Sequence, residues 1–267
     1  MSVISPSVTA QARGGFDGAP AARAERRGPR LELVRPAPAE PMPGHPGLGL
    51  GDSGPGPGHP GLGNATLEDT ELSEVEFAIV DLETTGWSPL EAAITEIGAV
   101  RIRGWQRQGE FASLVNPGTP VPPKITDLTG ISDWMLATAP RLGMVLPGLL
   151  EFSRGCVLVA HNAPFDLGFL TAACGTCGVA WPGFTVLDTV MLARQLMNPD
   201  EIPDCKLGTL AGFFRARTTP SHRALADARA TAHVLGWLIR RLTHQGVRTL
   251  GQLHALGQLR AWPDVVA

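Results

Sequence analysis

Residues 77–86 read Phe77-Ala-Ile-Val-Asp81-Leu-Glu83-Thr-Thr-Gly86. Four consecutive apolar residues closed by an acid fit a β-strand buried on both faces, since a half-exposed strand would alternate. A strand repeats every two residues, so Asp81 and Glu83 point to the same side. Two carboxylates side by side repel. A divalent cation between them removes that repulsion, and hard oxygen ligands of this kind suit magnesium or manganese. Read alone, the pair is equally two solvated acids at a strand end, followed by the turn formers Thr84, Thr85 and Gly86.

Working outward, Ile94 to Ile102 and Phe111 to Val115 read as two further strands, and the short connections predict an antiparallel meander. After Ala139 the period becomes helical through Leu142, Val145, Leu146, Leu149 and Leu150, with Pro147 a predicted kink. Then come a strand at Val157–Ala160, a helix opened by Pro164, a short strand near Phe184–Leu187, a helix from Asp188 to Met197, and a long helix from Ala224 to Leu242. Strand, helix and strand after a meander make a mixed α/β domain whose parallel part is carried by helical crossovers.

The 267 residues carry 22 Lys and Arg against 25 Asp and Glu, a formal charge of -3. Bulk positive charge therefore does not hold nucleic acid, and any such contact must be local. Residues 1–63 contain 13 of the 32 glycines and 11 of the 24 prolines. Phe16 is the single aromatic residue in 1–70, so this stretch is expected to be a disordered tail. Its repeated hexamer Gly-His-Pro-Gly-Leu-Gly, at 44–49 and 58–63, is too short to fold as a repeat. The expected division is a tail over 1–70, one domain over 71–243 and an extension over 244–267. Four cysteines and the absence of a leader point to a cytoplasmic protein, and no apolar run is long enough for a membrane. Cys174-Gly-Thr-Cys177 has zinc spacing but no second pair beside it, and reads as two thiols at a helix end.

Three more residues bear on the acidic pair. Asp166 falls in the first turn of the helix opened by Pro164, and Asp227 in the first turn of the long helix, where acids also simply complement the positive helix end. His222 stands in the loop just before Asp227. The order Asp81-Leu-Glu83-Thr-Thr-Gly86, Asn162-Ala-Pro-Phe-Asp166, then His222 with four residues between it and Asp227 resembles the DEDDh exonuclease superfamily, and within it the proofreading epsilon subunits of bacterial DNA polymerase III. The likeness spans roughly 76–243 and takes in Ile94-Thr-Glu-Ile-Gly-Ala-Val100, Ile125-Thr-Asp-Leu-Thr-Gly-Ile131, Asp188-Thr189 and Arg223-Ala-Leu-Ala-Asp-Ala228.

That resemblance implies a ribonuclease-H-like fold, a mixed sheet flanked by helices. It implies that Asp81, Glu83 and Asp227 ligate two magnesium or manganese ions, that Asp166 completes the acidic set, and that His222 is the general base. Thr84, Thr85, Gly86 and Asn162 are the residues expected at the terminal nucleotide. The chemistry is consistent: phosphodiester hydrolysis needs an activated water and a neutralised leaving oxygen, and histidine ordinarily titrates near neutrality. A related family uses tyrosine for histidine, but this chain has no tyrosine.

The implied activity is 3′→5′ hydrolysis of single-stranded or frayed DNA ends to 5′-mononucleotides, in proofreading or repair, with a DNA polymerase subunit as a possible partner. Two alternatives remain open: trimming of RNA, and a catalytically idle subunit that only docks on a polymerase. The chain departs from the family at Ala92-Ala93, where polar residues are common, and at Trp87, which either covers the nucleotide site or closes the turn. Phe165 and Phe169 are expected to pack their helix on the sheet. Leucines at 250, 253, 256 and 259 permit a short amphipathic helix, and Gln252-Leu-His-Ala-Leu256 loosely resembles peptides that bind a sliding clamp.

Overall fold

The computed structural model of the protein describes residues 69–261. The tail expected over 1–70 and its repeated hexamer fall, but for the last two residues, outside the described residues. The chain order is β1 (Phe77–Thr84), β2 (Ile94–Arg103), β3 (Gln106–Leu114), α1 (Pro123–Thr129), α2 (Asp133–Leu136), α3 (Leu142–Phe152), β4 (Val157–Ala160), α4 (Ala163–Cys177), β5 (Thr185–Asp188), α5 (Thr189–Leu196), α6 (Leu207–Phe213), α7 (Ala224–His244), α8 (Leu250–Ala255) and β6 (Leu259–Ala261).

Six strands form one mixed sheet in the order β3-β2-β1-β4-β5-β6. β1, β2 and β3 are an antiparallel meander, as expected, and β4 and β5 join in parallel through helical crossovers. A tight turn at Gly104 and Trp105, both with positive φ, connects β2 to β3, and Trp105 stacks on Phe77 at 6.2 Å. Alternate residues of β1 serve opposite faces. Phe77 and Ile79 pack under α5, α6 and α7, whereas Ala78, Val80 and Leu82 pack under α3 and α4. Both faces are covered, which is why the strand reads as an unbroken apolar run.

Several elements differ from expectation. β3 begins five residues early, because Gln106-Arg-Gln lies on an edge strand with partly exposed faces and carries no apolar pattern. α1, α2 and α6 are four to seven residues long, too short to show helical periodicity. α3 continues through Pro147. Beyond residue 243, Leu250 and Leu253 of α8 are buried in the main core, and Leu259 belongs to a strand paired with β5. Gln252 is committed to the capping box of α8, its Oε1 accepting from Arg248 N–H (2.6 Å) and Thr249 N–H (3.1 Å). Leu253 is fully buried, so it and Gln252 serve the fold itself, while Leu256 at the end of the clamp-like stretch stays 37% exposed.

The position of α7 follows from one glycine. Gly98 of β2 faces the first turn of α7, and a Cβ there would fall inside the backbone of Ala224 and Leu225. Only a residue without a side chain lets helix and strand come this close. Gly98→Ala is therefore expected to destabilise the protein by roughly 1–3 kcal/mol, the usual cost of overpacking. In a thermal melt this appears as a drop of several degrees, and an unchanged midpoint would show that α7 is not held at that distance.

Candidate active site

The β1–β4 pairing ends at Ile79, so the two strands part beyond it. The Leu82 N–H left by that divergence donates to Asp166 Oδ1 at 3.1 Å, which draws the first turn of α4 against the end of β1. The turn before α4 is set by Asn162, a non-glycine residue with left-handed backbone (φ 70°, ψ 56°). Its N–H donates to Asp188 Oδ1 (3.1 Å), the same oxygen that caps α5 through Val190 N–H (2.8 Å). Beside it, His161 Nδ1 is hydrogen-bonded to Thr189 Oγ1 at 2.9 Å.

From the other side, Glu96 of β2 stands opposite Glu83 and seizes the start of α7. It accepts from Arg223 Nε at 3.0 Å, Arg223 Nη2 at 2.7 Å and the Ala224 N–H at 2.9 Å. Asp227, one turn further, then faces β1. Its Oδ1 accepts from the Ser221 N–H (2.8 Å), folding the preceding loop back so that His222, exposed and left-handed at φ 54°, stands at the cleft mouth.

These elements enclose a cleft of about 790 Å³, lined by Asp81, Glu83, Asp166, Asp227, His222, Thr84, Gly86 and Asn162. Ligand atoms of Glu83, His222 and Asp227 lie within 4.8 Å of one another. Thr85 is the exception among the expected residues and is absent from the cleft wall. Its hydroxyl accepts from Ala93 N–H (2.9 Å) and its N–H donates to Ala93 O (2.8 Å), closing the loop across Ala92-Ala93. Thr84 Oγ1 donates to Gly86 O at 2.5 Å. Trp87 is 78% exposed and forms part of the wall, edge-on to Phe165 at 6.0 Å. Phe165 also lines the cleft, while Phe169 is core.

The acids are held in an environment that disfavours their charge. Burial and the carboxylates of Asp166, Asp227 and Glu83 push Asp81 well above the ordinary carboxylate range. Burial, with Asp227 and Glu96 nearby, raises Glu83 to about 8, opposed only by Arg223. Asp166 is raised well above its ordinary value by burial, against the lowering effect of backbone donors, and Asp227 is raised by burial although Ser221 and His222 oppose it. Arg223, the cation that opposes the rise of Glu83, is itself engaged by Glu96. Carboxylate oxygens are the hard donors that suit magnesium or manganese, and four carboxylates line this cleft.

Sequence reading missed Glu96 and Arg223 as organisers of this site. Both lie in segments noted for their resemblance, but their pairing across 127 residues is visible only once the β1–β2 register is known. Arg194 and Lys206, which also border the cleft, carry no sequence signal beyond their charge.

The family model described as Exonuclease (RNase_T) matches residues 78–235. A Mycobacterium tuberculosis protein named as a bifunctional exonuclease/endonuclease is 48% identical over 195 residues, covering 70% of this chain and 30% of that protein. A DNA polymerase III subunit epsilon-like protein of Rhodobacter capsulatus is 38% identical over 190 residues, covering 70% of this chain and 27% of its own length. The chain thus spans less than a third of these relatives. Among solved structures, Exonuclease X in complex with 5′ overhanging duplex DNA has a TM-score of 0.50 at 25% identity, covering 66% of this chain and 96% of that one.

The raised carboxylates set a pH dependence. A folded-state value above the unfolded one means that the folded protein keeps a proton the unfolded chain has lost, so stability falls as pH rises through that interval. For Glu83 the interval runs from about 4.5 to about 8. The melting temperature of chelator-treated protein is expected to fall between pH 5 and pH 8, and saturating magnesium to restore it most at pH 8. A rise over that range without metal would show that the acids are not repelling one another.

Proposed function

The chain belongs to the exonuclease family, and from this we propose that it is a metal-dependent 3′→5′ exonuclease that removes 5′-mononucleotides from single-stranded or frayed DNA ends. The observation that carries the proposal is the convergence of Asp81, Glu83, Asp166 and Asp227, drawn from β1, α4 and α7, on one cleft with His222 at its mouth. Relatives named for DNA polymerase III and a neighbour bound to DNA support DNA as the substrate and proofreading as its context, with a polymerase subunit as partner.

Asp81, Glu83, Asp166 and Asp227 would hold two magnesium or manganese ions. Such ions stabilise the charge that develops on the phosphate and on the departing 3′ oxygen. His222 takes the proton of the attacking water as the new P–O bond forms. The bond to the 3′ oxygen breaks, leaving a shortened strand with a 3′-hydroxyl and a free 5′-mononucleotide. The turn at Thr84 and Gly86 and the side chain of Asn162 border the space for the terminal nucleotide, which Trp87 and Phe165 flank with apolar surface. Thr85 acts on that turn through Ala93 instead of touching the substrate.

For His222→Ala the expected loss is roughly 10²–10⁴-fold in kcat, the usual contribution of a general base, with the fold intact because the residue is exposed. The measurement is single-turnover hydrolysis of a DNA oligomer in magnesium, with a chelator-treated sample alongside. An unchanged rate in the variant would reassign the base, and full activity after exhaustive chelation would exclude the metal-dependent mechanism.

A further inference from the structure

A second groove of about 470 Å³ lies where the end of α6 meets the C-terminal half of α7. Phe213, Arg215, Trp237, Arg240, Arg241 and His244 line it, and no carboxylate does. Arg241 is paired with Glu201 at 2.6 Å, but Arg215 and Arg240 form no ion pair among the described residues. The Arg240 guanidinium instead lies 5.0 Å over the ring of Trp237, which stacks on Phe214 at 6.0 Å and 5°. Phe213 is 43% exposed. In a chain of net charge -3 this is a local concentration of cationic and aromatic surface, complementary to an anion that also carries flat apolar groups.

The groove is connected to the acidic cleft by two short segments. Leu207, the first residue of α6, lines the cleft, and Phe213, its last, lines the groove. Along α7, the thirteen helical steps of ~1.5 Å from Asp227 in the cleft to Arg240 in the groove span about 20 Å, or about six nucleotides at the stacked spacing of ~3.4 Å. Residues 215–222 run directly from Arg215 in the groove to His222 at the cleft mouth.

We propose that this groove is a second contact for single-stranded nucleic acid, in which Arg215 and Arg240 hold phosphates about six nucleotides away from the strand end in the acidic cleft, and Phe213 offers a ring for a base. The identity of the ligand rests on the nuclease reading, but the binding does not require turnover. An acidic protein segment would satisfy the charges alone. Nucleic acid is favoured because a single strand with its end in the acidic cleft reaches the groove within about six nucleotides.

The test uses the full chain carrying Arg215→Gln and Arg240→Gln, which keep the aliphatic stems. Binding of a fluorescent 20-nucleotide single strand is followed by anisotropy in chelator, so that nothing is cut, over a range of salt. The expected result is about tenfold weaker binding at low salt and a slope of log affinity against log salt smaller by roughly 1.4, for two contacts at about 0.7 each. Cleavage of a trinucleotide in magnesium, too short to reach the groove, should keep its kcat and KM. Arg154→Gln, a surface arginine with a side chain 78% exposed on the turn after α3, should change neither. Unchanged affinity and slope for the 20-mer would overturn the proposal, as would an equal loss on trinucleotide and 20-mer. Should wild type and variant differ in binding as expected while neither cuts any oligomer, the groove stands and the nuclease reading fails.

Discussion

The carboxylate of Glu96 is the contact on which the site depends. It takes both arms of the Arg223 guanidinium and the first free N–H of α7, so that a strand residue fixes the start of a 21-residue helix. Hydrogen bonds to charged groups contribute roughly 1.5–3 kcal/mol each when well shielded, and Glu96 is buried. A second clamp lies further along the helix, where Arg229 grips Glu110 of β3 at 2.6 and 2.8 Å. Burial alone would raise the Glu110 carboxyl, but the bonds from Arg229 and Arg107 hold it below its ordinary value. Between these clamps the bare backbone of Gly98 lets the helix approach the sheet, and Asp227 is carried to within reach of Glu83.

This arrangement explains how four mutually repelling acids stay together. Among the described residues none of them has an arginine or lysine salt bridge: Asp166 accepts from a strand N–H freed by the parting of β1 and β4, and Asp227 from the N–H of Ser221. The backbone supplies donors without supplying a counter-charge. Two arginines of this region are spent on neighbouring acids, Arg223 on Glu96 and Arg229 on Glu110, which keeps the helix in place without neutralising the cluster. Packing on both faces of the sheet sustains that imbalance, which a divalent ion would relieve.

Much of this was legible in the sequence because the strands at the centre of the sheet are covered on both faces. Phe77 to Val80 and Val157 to Ala160 read as continuous apolar runs, and the acids at their C-terminal ends, Asp81 and Glu83 after the first and Asp166 in the helix after the second, could be placed from those runs alone. The edge was less visible: β3 starts in Gln106-Arg-Gln, and β6 is three residues whose pairing partners are 72 to 76 residues away. The roles of Glu96 and Arg223 depend on strand register, which no local pattern encodes. The tie of Thr85 to Ala93 across the loop is likewise a pairing that no local pattern encodes.

The most direct measurement follows a single-stranded DNA oligomer labelled at its 5′ end during incubation with magnesium. The account predicts a ladder of labelled fragments shortening one nucleotide at a time, with 5′-mononucleotides released, and no ladder from Asp227→Asn, whose fold should persist because a repelling charge has been removed. Early release of the label as a mononucleotide, internal cuts without a ladder, or an active Asp227→Asn protein would contradict it.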